Sequence, residues 1–121
     1  MARPLASLTI ENFWNEDIKE MKYVCYQDTL PISSEIFYNI KQKQIIPNAH
    51  LFSLYTETNS FWKIKFTTVS GAHWFTPNRL KCDDFKEDNS QVTIGINGDA
   101  KTMYVAFPSS KSCSIQLVKS N

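Results

Sequence analysis

The strongest constraint in this sequence is a β-hairpin signal between residues 92 and 107. Residues 92–96 and residues 103–107 each alternate between apolar and other side chains, and Asn97-Gly98 begins the connection between them. Asn-Gly between two such runs is the strongest short-range hairpin signal, because both central turn positions favour a positive φ. Loops of two or of four residues place the same apolar side chains on one face. These are Val92, Ile94, Ile96, Met103, Val105 and Phe107.

The same period-two alternation predicts strands from Ala49 onward, and it is clearest between Phe61 and Val69. Shorter strands are predicted at 51–56, 73–76 and 114–118. Because successive side chains of a strand point to opposite faces, the 61–69 run predicts a buried aromatic face and an outward lysine ridge. The first face carries Trp62, Ile64, Phe66 and Thr68, and the second carries Phe61, Lys63, Lys65 and Thr67.

The first 46 residues show helical spacing instead. Apolar residues recur every three or four positions between Ile10 and Cys25, which is typical of an amphipathic helix. A second helix is predicted to begin with Ser33 as its N-cap, and Ile32 and Phe37 occupy the positions of a hydrophobic staple. The sequence therefore predicts two N-terminal helices.

Helices followed by strands favour an α+β class, with the two N-terminal helices packed on one face of a five- to six-stranded antiparallel sheet. No internal repeat or dividing linker interrupts the chain, so we expect a single domain over residues 1–121. Within it, residues 1–6 are expected to be a mobile tail, residues 7–46 the helical part and residues 49–119 the antiparallel sheet.

The cysteines and the N-terminus favour an intracellular protein, cytoplasmic or nuclear. Cys25, Cys82 and Cys113 are odd in number and widely spaced, which is not the pattern of a disulfide framework. The N-terminal residues lack the apolar segment of a secretory signal peptide. We therefore expect each cysteine to be a small buried side chain in a reducing compartment.

No catalytic or metal-binding motif is present in the sequence. Phosphate-binding glycine loops, a nucleophile elbow and a His-Glu-x-x-His motif are absent, and the chain has only three glycines. His50 and His73 are the two histidines, and a pairing of His73 with Cys82 stays open because such partners meet in space. No Cys or His has zinc-site spacing, and Asp83, Asp84, Asp88 and Asn89, which offer oxygen ligands, lack the pattern of a calcium loop. We predict a protein that is not an enzyme and that uses no cofactor or metal.

The nearly neutral net charge of the whole chain conceals a basic middle segment. The whole chain has a net charge of +1, whereas residues 41–82 contain six Lys and Arg residues and one Glu. Aromatic residues are interleaved with these cations, a combination that sheets use to bind single-stranded nucleic acid. The sequence pI of about 7.7 lies below that of dedicated nucleic-acid domains.

Two functions are therefore considered. The first is a small non-catalytic binding module that acts through a protein–protein interface, because aromatic residues, which make up 13% of the chain, are enriched in such interfaces. The alternative is a single-stranded nucleic-acid-binding domain that uses residues 51–81. Another protein is the expected partner, a homo-oligomer through an edge strand is a further option, and no membrane partner is expected. The candidate partner-binding residues are Phe61, Lys63, Lys65, His73, Trp74, Arg79 and Lys81 in the basic segment, with Phe13 and Trp14 as helical anchors.

Overall fold

The computed structural model describes residues 5–55, 58–83, 91–109 and 111–120. These residues form strands and no helix. Nothing in this part of the chain is a helix of the length and hydrophobicity needed to cross a membrane. The strands are β1 (Leu5–Phe13), β2 (Ile18–Gln27), β3 (Leu30–Ile40), β4 (Ile45–Ser53), β5 (Ser60–Thr68), β6 (His73–Phe75), β7 (Leu80–Lys81), β8 (Gln91–Asn97), β9 (Thr102–Ala106), β10 (Ser112–Gln116) and β11 (Val118–Ser120).

The described strands form two sheets that share one core. The first sheet has the order β10-β9-β8-β1-β4, and the second has the order β11-β6-β5-β2-β3, with β7 paired to β5. The described pairs are antiparallel except for β1 with β8, which is parallel. Buried side chains from both sheets form a single cluster, as in a β-sandwich.

The predicted α+β class is therefore wrong, because residues 7–46 form strands instead of helices. The strands after residue 49 are divided between two sheets and do not form the predicted single one. Leu5 and Ala6, which were assigned to the mobile tail, begin β1, whereas residues 1–4 lie outside the described residues.

The helical spacing of the first segment has a specific cause. In β1, the inward positions include Ile10 and also Asn12, which is polar and fully buried, so the alternation is hidden. After Ile18, the register of β2 shifts at a bulge, and the next inward position becomes Met21. A strand, a bend and a bulged strand therefore reproduce the three- and four-residue spacing of a helix.

The second predicted helix is the edge strand β3. Its inward positions opposite β2 include Ser33 and Glu35, which are polar, whereas Ile36 lies on the outer side. The apolar Phe37 also faces inward, so both faces of this edge strand mix polar and apolar side chains and the strand gives no period-two signal. The residues that resemble an N-cap and a staple therefore lie along a strand.

The hairpin predicted over residues 92–107 is confirmed. β8 pairs with β9 so that Ile94 lies opposite Val105 and Ile96 opposite Met103. The predicted inward side chains are all buried. Period-two alternation over two adjacent segments was sufficient to predict this unit.

The connection of this hairpin is the longer of the two loops considered, and Asn97-Gly98 does not supply the central turn positions with positive φ. Asn97 pairs with Thr102, so four residues make the connection, and Lys101 has the positive φ of 57°. Gly98 is required for a different reason, because a Cβ there would lie 2.7 Å from the backbone nitrogen of Asn15. The glycine permits a close approach of two chain segments.

Trp62 lies at the centre of the sandwich. Its side chain is fully buried, and its indole N–H donates a hydrogen bond to the carbonyl of Cys82 at 2.8 Å. Its ring meets that of Phe52 from the first sheet edge to face, with centroids 6.3 Å apart. The predicted inward face of the 61–69 strand is therefore confirmed.

A polar contact ties the two sheets together at one end. The buried side-chain amide of Asn12 in β1 donates hydrogen bonds to the carbonyls of Ile40 and Lys41, each at 3.1 Å. Its side-chain oxygen accepts the backbone N–H of Trp14 at 2.9 Å. Because each of these buried groups has a partner, Asn12 joins the end of β3 to the first sheet without a desolvation penalty.

A disulfide joins the sheets at the opposite side, which the sequence interpretation did not foresee. Cys82 follows β7 in the second sheet, and it is bonded to Cys113 of β10 in the first sheet, with the Cα atoms 5.9 Å apart. The prediction of three reduced, buried cysteines is wrong for this pair. Cys25 is a buried thiol, as expected.

Trp62→Ala should lower the free energy of unfolding by about 3–5 kcal/mol, because it leaves a cavity between the sheets. Urea unfolding followed by circular dichroism measures the change. Phe61→Ala, which removes a half-exposed ring from the adjacent position, is the matched control and should cost less. Equal losses in the two variants would show that Trp62 does not hold the central position described.

Replacing Cys82 and Cys113 by Ser should lower the free energy of unfolding by about 3–4 kcal/mol, since the bond closes a loop over a sequence separation of 31. A reductant should destabilise the wild type by a similar amount and should leave the double variant unchanged. Urea midpoints with and without dithiothreitol test this. Insensitivity of the wild type to the reductant would contradict it.

Candidate binding face

The sequence-predicted lysine ridge forms part of a larger surface, which we call the basic face. It is the side of the second sheet that points away from the core. Because Trp62 and its alternate neighbours in β5 point inward, the intervening residues of β5 point outward. With the residues that pair with them in β2, β3, β6 and β7, the basic face comprises Glu20, Lys22, Val24, Tyr26, Ile36, Tyr38, Phe61, Lys63, Lys65, Thr67, His73, Phe75 and Lys81.

Three lysines form the centre of this face. Lys22 of β2 lies directly opposite Lys65 of β5, and Lys63 is two residues along β5 and therefore diagonal to Lys22. Like charges directly opposite each other across two strands are destabilising. Among the described residues, none forms an ion pair or hydrogen bond with any of the three side chains. In the described part of the chain, this repulsive pair is therefore not neutralised by an ion pair.

Apolar side chains flank the lysine pair on both sides. Phe75 of β6 lies opposite Lys65, and Ile36 of β3 lies opposite Lys22. Both flanking side chains are 38% exposed, and Val118 continues the same row beyond Phe75. Two adjoining depressions of about 500 and 340 Å³ share Lys22, Lys65 and Phe75 in their linings. The row presents cations between apolar walls.

Arg79 covers one end of the basic face. Its guanidinium carbon lies 4.1 Å from the ring centroid of Phe61 and 5.2 Å from that of Tyr26. Its Nη1 donates a hydrogen bond to the carbonyl of Asp28 at 2.7 Å. This hydrogen bond and the cation–π stacking hold the Arg79 guanidinium flat against the sheet.

The remaining charged candidates occupy the margins of the face. Lys81 lies opposite Phe61, and its ammonium group is 3.2 Å from a carboxylate oxygen of Asp83. At the other end, Nδ1 of His73 shares a hydrogen bond of 2.8 Å with the Thr67 hydroxyl. Lys81 therefore forms an ion pair, whereas the three central lysines form none with the described residues.

Three sequence candidates do not belong to this face. Trp14 is 3% exposed and packs edge to face against Trp74, with centroids 5.0 Å apart. Trp74 is half-buried and points toward the core, opposite Phe66. Phe13 is exposed, but it ends β1 in the first sheet. The apolar stripe around Trp14 covers the protein's own core.

The structure contains a polar cluster that the sequence did not reveal. The buried Tyr23 hydroxyl lies 2.6 Å from Oγ of Ser33 and 2.5 Å from Nδ1 of His50, and a carboxylate oxygen of Glu35 lies 3.9 Å from Nε2 of His50. Burial raises the pKa of the Tyr23 hydroxyl, so this group stays protonated and acts as a donor. Because β3 and β4 are adjacent only in the fold, no sequence spacing joins these residues. The cluster connects the open edges of the two sheets.

Two further expectations from the sequence concern the pairing of His73 with Cys82 and metal binding. His73 and Cys82 do not pair, because His73 contacts Thr67 and Cys82 is in the disulfide. Within the described ranges, no group of three or more His, Cys, Asp or Glu residues is placed to hold a metal ion. Most of the predicted acidic loop, residues 84–90, lies outside the described residues.

Comparison with known proteins does not indicate a function for this face. No family model matches the chain. No curated protein matches it significantly.

Lys65→Glu should raise the free energy of unfolding by about 0.2–1 kcal/mol, because it replaces a like-charge pair with Lys22 by an opposite-charge pair. Urea unfolding at low ionic strength measures the gain, which added salt should reduce. Lys119→Glu makes the same charge change on β11, opposite Trp74, and should produce no such gain. A loss of stability on Lys65→Glu would show that the two lysines do not repel each other.

Proposed function

We propose that this chain is a non-catalytic binding module that binds an acidic segment of another protein on the basic face. The observation that carries the proposal is the cluster of Lys22, Lys63 and Lys65, which has no counter-ion among the described residues. A repulsive cluster costs stability, and a protein retains such a cost where a ligand supplies the opposite charge.

The apolar flanks support a protein ligand. Ile36, Phe75 and Val118 expose apolar surface in the same row as the lysine pair, and Tyr38 exposes 61% of its surface near one end. Aromatic and apolar side chains are the parts of an interface that exclude water, whereas the charges around them speed and orient the encounter. A segment with alternating acidic and apolar residues matches both properties.

Single-stranded nucleic acid is the second candidate, since Phe75 is an exposed ring beside Lys65. Bases stack on such rings while lysines contact phosphates. One contact favours the protein ligand instead, because the Arg79 guanidinium lies over the Phe61 ring and competes with a base for that ring. Of the Phe61 and Phe75 rings, Phe75 is therefore the one more open to a base.

The compartment is part of the proposal. The intracellular location was predicted largely from the absence of a disulfide pattern, and Cys82–Cys113 removes that argument. Disulfides persist in oxidising compartments and are rare in the reducing cytoplasm. We therefore favour an oxidising compartment. The single domain and the homo-oligomer through an edge strand stay predictions.

Replacing both Lys63 and Lys65 by Glu should leave the protein folded and should weaken binding of a fluorescent peptide of alternating Glu and Leu by about tenfold or more, which corresponds to about 1.4 kcal/mol. Fluorescence anisotropy at low and at physiological salt measures the affinity. Lys119→Glu is the matched control and should bind like the wild type.

A labelled oligothymidylate, titrated in parallel, distinguishes the two ligand classes. The proposal expects the peptide to bind more tightly than the oligonucleotide at physiological salt. Tighter oligonucleotide binding, with an affinity that falls steeply as salt rises, would favour the nucleic-acid function. If the wild type binds neither probe at low salt, the basic face is not a binding surface for these anions.

A further inference from the structure

The spacing of the central lysines points to a more specific ligand. We infer that Lys22 and Lys65 form a site for a phosphate monoester, so that the partner of the basic face is a phosphorylated protein segment. This inference rests on the proposed function, because it concerns the same face.

The argument begins with the distance between the two lysines. Residues directly opposite each other in antiparallel strands have Cβ atoms about 4.5–5.5 Å apart. An extended peptide presents side chains on one side only at every second residue, a repeat of about 6.6–6.8 Å. Because this repeat is longer than the lysine separation, one ligand side chain faces the Lys22–Lys65 pair.

The charge of that side chain follows from the surrounding groups. Lys22, Lys63 and Lys65 line the two adjoining depressions taken together, and Glu20 is the one carboxylate among the described residues in those linings. Three ammonium groups and one carboxylate leave two positive charges. A ligand carboxylate supplies one negative charge, whereas a phosphate monoester carries about −1.5 to −2 at pH 7. The monoester is therefore the better match to this site.

The walls of the site support a compact, highly charged group. Ile36 and Phe75 flank the lysine pair on either side, so the cations lie between two apolar walls. A phosphodiester in a nucleic acid carries one charge per phosphate, and it leaves the pair undercompensated as a carboxylate does. The chemistry distinguishes the monoester from both alternatives.

The first experiment compares three versions of one peptide, with phosphoserine, Glu or Ser at the central position, on the full-length oxidised protein. We expect the phosphoserine peptide to bind about tenfold or more tightly than the Glu peptide. Lys22→Gln and Lys65→Gln should each remove this preference, whereas Lys119→Gln, outside the face, should retain it. Unchanged circular dichroism spectra confirm that the variants are folded.

The second experiment uses pH, because the second ionisation of a phosphate monoester has a pKa near 6. Binding of the phosphoserine peptide should weaken from pH 7.5 to pH 5.5, whereas binding of inorganic sulfate, which keeps its double charge, should not weaken. Among the described residues, the titratable groups that line the two depressions are Glu20, Tyr26, His73 and the lysines. Any proton that a protein group gains as the pH falls makes the site more positive, so a weakening arises from the phosphate itself.

The outcomes separate this inference from the proposed function. Equal affinities for the phosphoserine and Glu peptides, both lost when Lys63 and Lys65 are replaced by Glu, would overturn the phosphate site and leave the acidic-segment module intact. Failure of the wild type to bind either peptide would overturn both. Binding of the oligothymidylate that is tighter than that of the phosphoserine peptide and is lost in Lys22→Gln would identify the face as a phosphodiester surface and would also overturn the inference.

Discussion

The burial of Trp62 is the interaction on which the rest of this structure depends. Its indole is fully buried between the sheets, and its N–H is satisfied by the carbonyl of Cys82. With that side chain held inward, the period-two geometry of β5 places Lys63 and Lys65 outward. The same constraint extends across the second sheet, because strand register aligns each outward residue with its neighbours. The position of one large apolar side chain thus determines which surface of the sandwich carries the charge.

The second sheet combines a conventional core side with an unusual outer side. Inward, it meets the first sheet in one continuous apolar cluster, closed at one end by Asn12 and on the opposite side by the Cys82–Cys113 disulfide. On its outer side, Lys22 lies opposite Lys65. A single substitution would replace this like-charge pair by a pair of opposite charges. The like-charge pair lowers stability, and this cost is the physical basis for proposing a binding role for it.

Sequence reasoning was correct where alternation was complete within one strand. The inward face of the 61–69 strand and the hairpin over residues 92–107 were both recognised, because the inward positions there are apolar except for the buried Thr68. It was wrong where the inward position is polar, as at the buried Asn12 and the exposed Glu35, because such a residue conceals a strand and a bulge adds a false helical period. The lysine ridge was found in the same way, whereas Lys22 was not, since it lies about forty residues away in the chain.

The sequence by itself determined which side chains share a face within each strand, because that depends only on the geometry of neighbouring residues. The tertiary structure decided which strands are adjacent, and adjacency between distant segments depends on packing and on bulges that no local pattern reports. For this reason the opposition of Lys22 to Lys65 and the bond between Cys82 and Cys113 became visible only in the fold. The charges of the basic face follow from alternation within each strand. Their arrangement across the sheet is decided by the fold.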